Sequence, residues 1–477
     1  MKVRTMMLCL GLCVGAGAAE PPAAWGPTPN DRQLWWYDVG FYGFVHFTVN
    51  TFTDREWGYG DESPELFDPT DFDADQIVEA VKLGGMKGLI LTAKHHDGFC
   101  LWPSAYTDHN ISKSPFRDGQ GDLVKEIRDA CRRAGLLFGT YISPWDRNRA
   151  DYAQDSYVDY YHNQVIELMD RYGPIFEMWF DGANGGDGYY GGARETRRIP
   201  PGYYRFDELY AKIRATDPNT VIWGDPGADA TWGGSEAGDV PDPCWPTVPN
   251  TKRIQPGDRY LPSEADVSIR PGWFYHAAED DRVKSPAQLA DIWFTSIGRG
   301  ANLILNLPPD RRGQVNEIDV RSLRAFRAWL DGTFSVDLAQ GGQVSADNVR
   351  GGDVGFGAGR VLDGMASSYW ATDDGTLEAS LTLTLPEPRT FGVVRLVEPI
   401  RLGHRLEDVV IEVEEDGAWR EWGRAANVGA RRLVRGAEVT TQQVRVTLRS
   451  AADCVVLSEL NLYREAPLPE GIPAADE

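Results

Sequence analysis

The residues best equipped for chemistry stand directly after short apolar runs. Ile175–Phe180 (IFEMWF) ends in Asp181 and Gly182, and Gly43–Val45 leads into His46. Leu89–Leu91 leads into Lys94, His95, His96, Asp97 and Gly98, and a third run ends in Tyr141–Trp145 (YISPW). An apolar strand that stops at a carboxylate and a glycine holds an acid at a rigid rim, and the glycine lets a ligand or backbone come close. Asp181 taken alone reads equally as a turn residue or a helix cap. Histidines at neighbouring strand ends favour a binding site instead. A neutral imidazole both donates and accepts a hydrogen bond, which suits the adjacent hydroxyls of a polyol. Glu56 and Trp57 add an acceptor beside a stacking plate, although the pair also fits an exposed loop with a half-buried indole.

Adjacent histidines tend to point apart, and metal-binding pairs on helices are usually spaced by three or four residues. The sequence has no His-Glu-x-x-His and no Cys/His cluster. The expectation is therefore no metal and no cofactor, and a metal-dependent hydrolase is disfavoured. A polyol site with a carboxylate suggests cleavage of a glycosidic bond. A retaining glycosidase needs a second carboxyl about 5–5.5 Å from the first. Two later acids compete for that place in loops over the rim. Glu236 sits in the glycine-rich segment Gly233–Gly238 beside Trp232, and Glu264 sits in Ser263–Asp266 (SEAD). Sequence distance does not choose between them. Whichever serves as acid needs a raised pKa, from apolar enclosure or from proximity to Asp181. A sugar-binding protein without catalysis is the rival class, disfavoured because candidate carboxylates are present.

The elements that must position these residues alternate along the chain. Helical spacing appears over 75–83 (Ile77, Val78, Val81), 122–134 (Leu123, Ile127, Ala130), 157–171 (Val158, Tyr161, Val165, Leu168) and 206–213. Further helices open at Ser285-Pro286 and run to about Leu330. Between them lie the near-continuous apolar runs 43–47, 88–92, 136–142, 175–180, 221–223 and 302–307. Such runs imply parallel strands covered on both faces. Six or more units in about 300 residues favour a closed (β/α)8-like barrel, whose working residues sit at the C-terminal ends of its strands. No glycine-rich phosphate loop follows the first strand, which argues against a dinucleotide fold. After Gly332 the pattern changes to short alternating runs at 381–385, 392–396, 409–413 and 444–448, read as an antiparallel β-sandwich bracing the barrel. The expected division is a catalytic barrel over 20–332, a sandwich over 333–465 and a disordered tail over 466–477.

The chain has 477 residues and a net charge of −23, with a pI of about 4.8. This acidity disfavours nucleic acid and anionic membranes as partners. Its 53 aromatic side chains (16 Trp, 19 Tyr, 18 Phe) leave rings to spare for stacking on sugar C–H faces. Residues 1–19 read as a signal peptide: Lys2 and Arg4, an apolar Met6–Val14, then Ala16, Gly17 and Ala18 as a cleavage pattern. That stretch is too short for a membrane span, and no later apolar run reaches about twenty residues. A soluble protein exported to the periplasm or beyond is expected. Cleavage removes Cys9 and Cys13, leaving Cys100, Cys131, Cys244 and Cys454, which read as buried thiols rather than a disulfide framework.

Six segments, in order, then resemble one family: Thr53–Gly58 (TDREWG), Leu91–Trp102 (LTAKHHDGFCLW), Tyr141–Arg147 (YISPWDR), Glu177–Asn184 (EMWFDGAN), Asp266–His276 (DVSIRPGWFYH) and Asn302–Arg311 (NLILNLPPDR). They are similar to glycoside hydrolase family 29, the α-L-fucosidases, over about residues 33–331, and most like the branch acting on α-1,3/1,4-linked fucose in Lewis-type glycans. The resemblance implies a fucosylated oligosaccharide or glycan as substrate, Asp181 as nucleophile and Glu236 rather than Glu264 as acid/base. It implies that His46, Glu56, Trp57, His95 and His96 hold the fucose, with Tyr141, Trp179 and Trp273 around it. Another exo-glycosidase acting on a galactose-like sugar is the nearer alternative. The chain departs from the family pattern at Thr48, where glycine is usual, and at Tyr59, where aspartate is frequent.

Overall fold

A computed structural model describes residues 19–474, so most of the expected signal peptide lies outside the described residues. Eight parallel strands close into a barrel: β1 (Phe41–Val45), β2 (Gly88–Lys94), β3 (Leu137–Ile142), β4 (Glu177–Trp179), β5 (Val221–Gly224), β6 (Ala230–Trp232), β7 (Ser263–Ser268) and β8 (Asn302–Asn306). Each pairs with its sequence neighbours, and β8 pairs β1 to close the ring. Six helices surround it: α1 (Ala74–Leu83), α2 (Leu123–Ala134), α3 (Asp155–Tyr172), α4 (Phe206–Thr216), α5 (Pro286–Thr295) and α6 (Glu317–Phe334). Helix α1 illustrates the local logic. Asp73 caps it by accepting from the amides of Asp75 (2.9 Å) and Gln76 (3.1 Å). Its apolar stripe Ile77, Val78 and Val81 is buried, and each such side chain contributes about 1.5–3 kcal/mol over exposure.

Two barrel strands, β6 and β7, are not apparent as apolar runs. Strand β7 reads Ser-Glu-Ala-Asp-Val-Ser: Ala265 and Val267 pack outward with the helices, while Glu264 and Asp266 alternate with them and point into the barrel. The rim loop expected at 263–266 is therefore a corrected reading, because those residues form a buried strand. Among the described residues, no helix separates β5 from β6 or β6 from β7. The second of these gaps is the long loop 233–262, which carries Glu236.

The C-terminal region is antiparallel, as expected. One six-stranded sheet is built on two long strands, Glu378–Val397 and Arg432–Ser450. A two-stranded ribbon contributes Trp370 and Leu457 to the same core. This domain grips the loop 233–262: Arg432 pairs with Asp242 (2.7 Å), Arg253 with Glu407 (2.6 Å), and Asn427 Nδ2 donates to the Cys244 carbonyl (2.5 Å). Residues 466–474, where the sequence reading has a tail, lie against α6. There the Ala466 amide donates to Thr333 Oγ1 (3.0 Å), and Leu468 and Ile472 rest on the barrel core. Cys100, Cys131, Cys244 and Cys454 are all buried free thiols.

Candidate active site

A pocket of about 390 Å³ opens at the C-terminal end of the barrel, at the small end of the range for ligand sites. His46, Trp57, His95, His96, Tyr141, Trp179, Asp181, Glu236 and Trp273 all line it. Nine of the ten expected site residues thus converge from β1, β2, β3, β4 and the loops after β6 and β7. Glu56 stands behind the wall instead.

The three histidines are buried, and their second ring nitrogens fix their tautomers. Asn306 Nδ2 donates to Ser268 Oγ (2.9 Å) and to the Trp273 carbonyl (2.8 Å), so its Oδ1 faces His46 Nδ1 at 2.8 Å. His46 therefore carries its proton on Nδ1 and keeps Nε2 as an acceptor. Asn50 Nδ2 donates to His95 Nδ1 (3.4 Å), which leaves His95 Nε2 as a donor. Ser143 Oγ donates to the Trp145 carbonyl (2.8 Å) and so accepts from His96 Nδ1 (2.7 Å), leaving His96 Nε2 as an acceptor. Burial pushes His46 and His96 down to about 4, in the latter case against the pull of Asp181, and holds His95 well below its ordinary value. All three rings are neutral at physiological pH. With ring centroids 5.7 Å apart, His46 and His95 offer one acceptor and one donor, the complement of a hydroxyl group.

Asp181 follows β4 with about a quarter of its side chain exposed. Its Oδ1 accepts from the Ala183 amide (2.6 Å) and its Oδ2 from the Tyr141 hydroxyl (2.9 Å). Burial and the nearby Asp181 push the Tyr141 phenol well up, so it remains a donor. His96 Nε2 lies 3.9 Å from Asp181 Oδ2. Both atoms are acceptors, so a ligand hydroxyl between them has two places to donate. Trp57 meets His96 and Trp145 edge-on, at centroid distances of 5.1 and 5.8 Å, and is 53% exposed, free to cover a ligand.

The two rival carboxyls separate clearly. Glu236 is exposed on its glycine-rich loop at the rim, where Trp273 Nε1 donates to it at 3.3 Å. The apolar enclosure expected around it is therefore limited to the flanking Trp232 and Trp273. Glu264 lies deep in β7, in register with Asn302 at the start of β8. It accepts from Trp179 Nε1 (2.9 Å) and from the Tyr42 hydroxyl. Burial, with Glu177 beside it, raises its carboxyl well above the usual range. Glu264 is a structural acid beneath the pocket and does not line it.

Glu56 has both oxygens engaged by the loop after β7. Oε2 accepts from the Trp273 amide (2.8 Å), and Oε1 accepts from the Phe274 amide (3.2 Å) and bonds His276 Nε2 (2.6 Å). The two departures from the family pattern have local uses. Thr48 caps the short helix that follows it through Asn50 N (3.2 Å), and Tyr59 lies under Arg147 at 5.1 Å. Sequence reading missed Phe44, Trp223, Asn306 and Asp266 at this site. Trp223 stacks on Trp179 at 3.6 Å, and Asp266 lines the pocket with Trp232 Nε1 donating to it at 2.9 Å. Phe44 and Trp223 sit inside apolar runs, where nothing marks a residue as facing the barrel interior.

With this geometry in place, comparison with known proteins is informative. Residues 25–333 match the family model described as Alpha-L-fucosidase. The chain is 37% identical over 458 residues to Alpha-L-fucosidase 1 of Arabidopsis thaliana, covering 92% of this chain and 88% of that one. A glycoside hydrolase 29 family member from an unknown rumen bacterium superimposes with a TM-score of 0.84 at 37% identity, covering 95% of this chain and 80% of the other. A Ruminococcus gnavus GH29 fucosidase solved in complex with fucose gives a TM-score of 0.84 at 29% identity, covering 95% and 98%. The family match spans the barrel and the relatives cover nearly the whole chain, and the chain belongs to the α-L-fucosidase family of glycoside hydrolases, family 29.

Proposed function

We propose that this protein is a retaining exo-α-L-fucosidase that removes terminal α-1,3/1,4-linked fucose from Lewis-type oligosaccharides or glycoconjugates. The observation that carries the reading is Asp181. It is fixed by the Tyr141 hydroxyl and the Ala183 amide in a pocket sized for a sugar ring, with Glu236 also lining that pocket. Asp181 attacks the anomeric carbon while Glu236 gives its proton to the leaving glycosidic oxygen. Glu236 then takes a proton from water, which displaces Asp181 and releases fucose with its anomeric configuration retained. A bound glycan over Trp57 and Trp273 shields Glu236 from water.

His46, His95 and His96 match the ring hydroxyls by the acceptor–donor pattern of their free nitrogens. Phe44 and Trp273, at a centroid distance of 6.2 Å, give an apolar wall suited to the C6 methyl of fucose rather than the hydroxymethyl of galactose. Such a difference is worth only about 1–3 kcal/mol, so it must be measured. Lewis-type trisaccharides, 2′-fucosyllactose, and aryl fucoside and galactoside should be compared side by side, with NMR detection of the first anomer released. Preference for the Lewis-type substrates with initial release of α-fucose is expected. Initial β-fucose refutes retention, and faster cleavage of 2′-fucosyllactose or of the galactoside refutes the specificity. The basic and apolar pattern of residues 1–18 also supports export. Sequencing the mature N-terminus tests this, and an intact Met1 would refute it.

A further inference from the structure

His276 lies at the end of the loop after β7, and both of its ring nitrogens face carboxylate oxygens. Nδ1 is 2.7 Å from Asp54 Oδ1, and Nε2 is 2.6 Å from Glu56 Oε1. Two acceptors on two ring nitrogens are both satisfied only by an imidazolium. The carboxylates belong to the loop after β1, where Asp54 has φ 58° and Trp57 follows directly. Glu56 passes the connection on: its oxygens take the Trp273 and Phe274 amides, and Trp273 reaches Glu236. The packing leaves no slack, because a Cβ on Gly272 would fall 2.5 Å from Glu56 Oε1 and 3.0 Å from His276 Cδ2.

We propose that His276 is a positioning residue: by bridging Asp54 and Glu56 it locks the loop after β1 onto the loop after β7, and so sets the Trp57 and Trp273 walls of the sugar pocket and the approach of Trp273 to Glu236. This rests on the fucoside reading of the pocket. His276 acts through Glu56 and not on the sugar. Partial burial lowers its pKa, but the hydrogen bonds to Asp54 and Glu56 outweigh this and raise it overall. The other charged groups packed around the clamp have partners of their own. Arg55 pairs with Glu62 (3.6 Å) and Glu279 with Arg282 (3.5 Å). Arg270 pairs with Asp280 (2.8 Å) and Arg312 with Asp310 (2.7 Å), while Arg311 Nε donates to the Thr51 carbonyl (3.2 Å). The clamp therefore holds below the raised pKa and weakens as pH rises through it.

The test is the pH dependence of KM and kcat for an aryl α-L-fucoside in wild type, His276→Gln, Glu56→Gln and the double variant. Wild-type KM should climb on the alkaline side. His276→Gln should raise KM about tenfold at pH 6, the equivalent of one charge-assisted hydrogen bond, change kcat less, and abolish the alkaline climb. The double variant should be no worse than Glu56→Gln. An alkaline climb that persists in His276→Gln, a KM within twofold of wild type, or additive losses would overturn the clamp. A flat wild-type KM into the alkaline range would do so even if the variants failed to fold. A wild type that cleaves no fucoside would instead refute the reading of the pocket.

Discussion

Replacing Glu264 and Glu236 separately by glutamine distinguishes a structural acid from a catalytic one. Burial and Glu177 raise the Glu264 carboxyl well above its usual range, which favours the neutral acid. A carboxamide has the same shape and charge as a protonated carboxyl. In Glu264→Gln the amide oxygen keeps the Trp179 Nε1 bond of 2.9 Å. The Tyr42 hydroxyl already accepts from Trp36 Nε1 at 2.9 Å and takes the new N–H on its other lone pair. One hydrogen bond changes polarity, so the expected loss in kcat/KM is about fivefold or less, ~1 kcal/mol. Glu236→Gln removes the transferable proton and should cost about 10²–10⁴-fold, most on oligosaccharides and least on dinitrophenyl fucoside, with azide restoring rate on the latter. A loss above about 100-fold at Glu264 with azide rescue, and near-normal turnover in Glu236→Gln, would refute the assignment. A thermal readout is independent of rate. For a carboxyl raised on folding, the stability is present below the unfolded value, about 4.3, and is lost as pH rises through the folded one. Glu264→Gln removes that loss, so its Tm relative to wild type should climb with pH above about 4.3. A constant difference contradicts the neutral acid.

Asp181→Asn should lower the rate on aryl fucoside about 10³-fold or more, roughly 4 kcal/mol of barrier; near-wild-type turnover in folded, uncontaminated protein would exclude Asp181 as nucleophile. Protonation of His46 and His96 converts their free Nε2 from acceptor to donor. KM should therefore hold steady down the acid side and rise only where burial places these histidines, at about 4; a rise already at the ordinary histidine value of about 6.5 would contradict the burial argument. Activity should survive EDTA, because no three His, Cys, Asp or Glu side chains among the described residues are placed to hold a metal ion; loss that zinc restores would revive a metal role.

Strands β1 to β5 and β8 are legible because both faces are apolar: the helices cover one and barrel residues fill the other. Strand β7 breaks that rule. Its inward residues are Glu264 and Asp266, and polar alternation without an apolar run reads as a loop. Asp181 and the histidines were legible because they stand where apolar runs stop, which is where barrel strands present their ends. The position of Glu56 was not. Its partners lie 217 to 220 residues away on the loop after β7, and only the closed barrel brings them together.

The same closure gathers several carboxyls of a strongly acidic chain inside the barrel. Glu177, Glu264 and Asp266 are each raised first by burial, and their oxygens meet Trp36, Trp179 and Trp232 indole N–H groups. Neighbouring carboxyls do not readily ionise together, and Glu177 raises Glu264 further, as Glu264 does Asp266. Glu264, bonded to the Trp179 indole, orients the ring that stacks on Trp223. Net charge counted from sequence gives every carboxyl the same weight, so the electrostatics of the site follow from which carboxyls the barrel encloses rather than from composition.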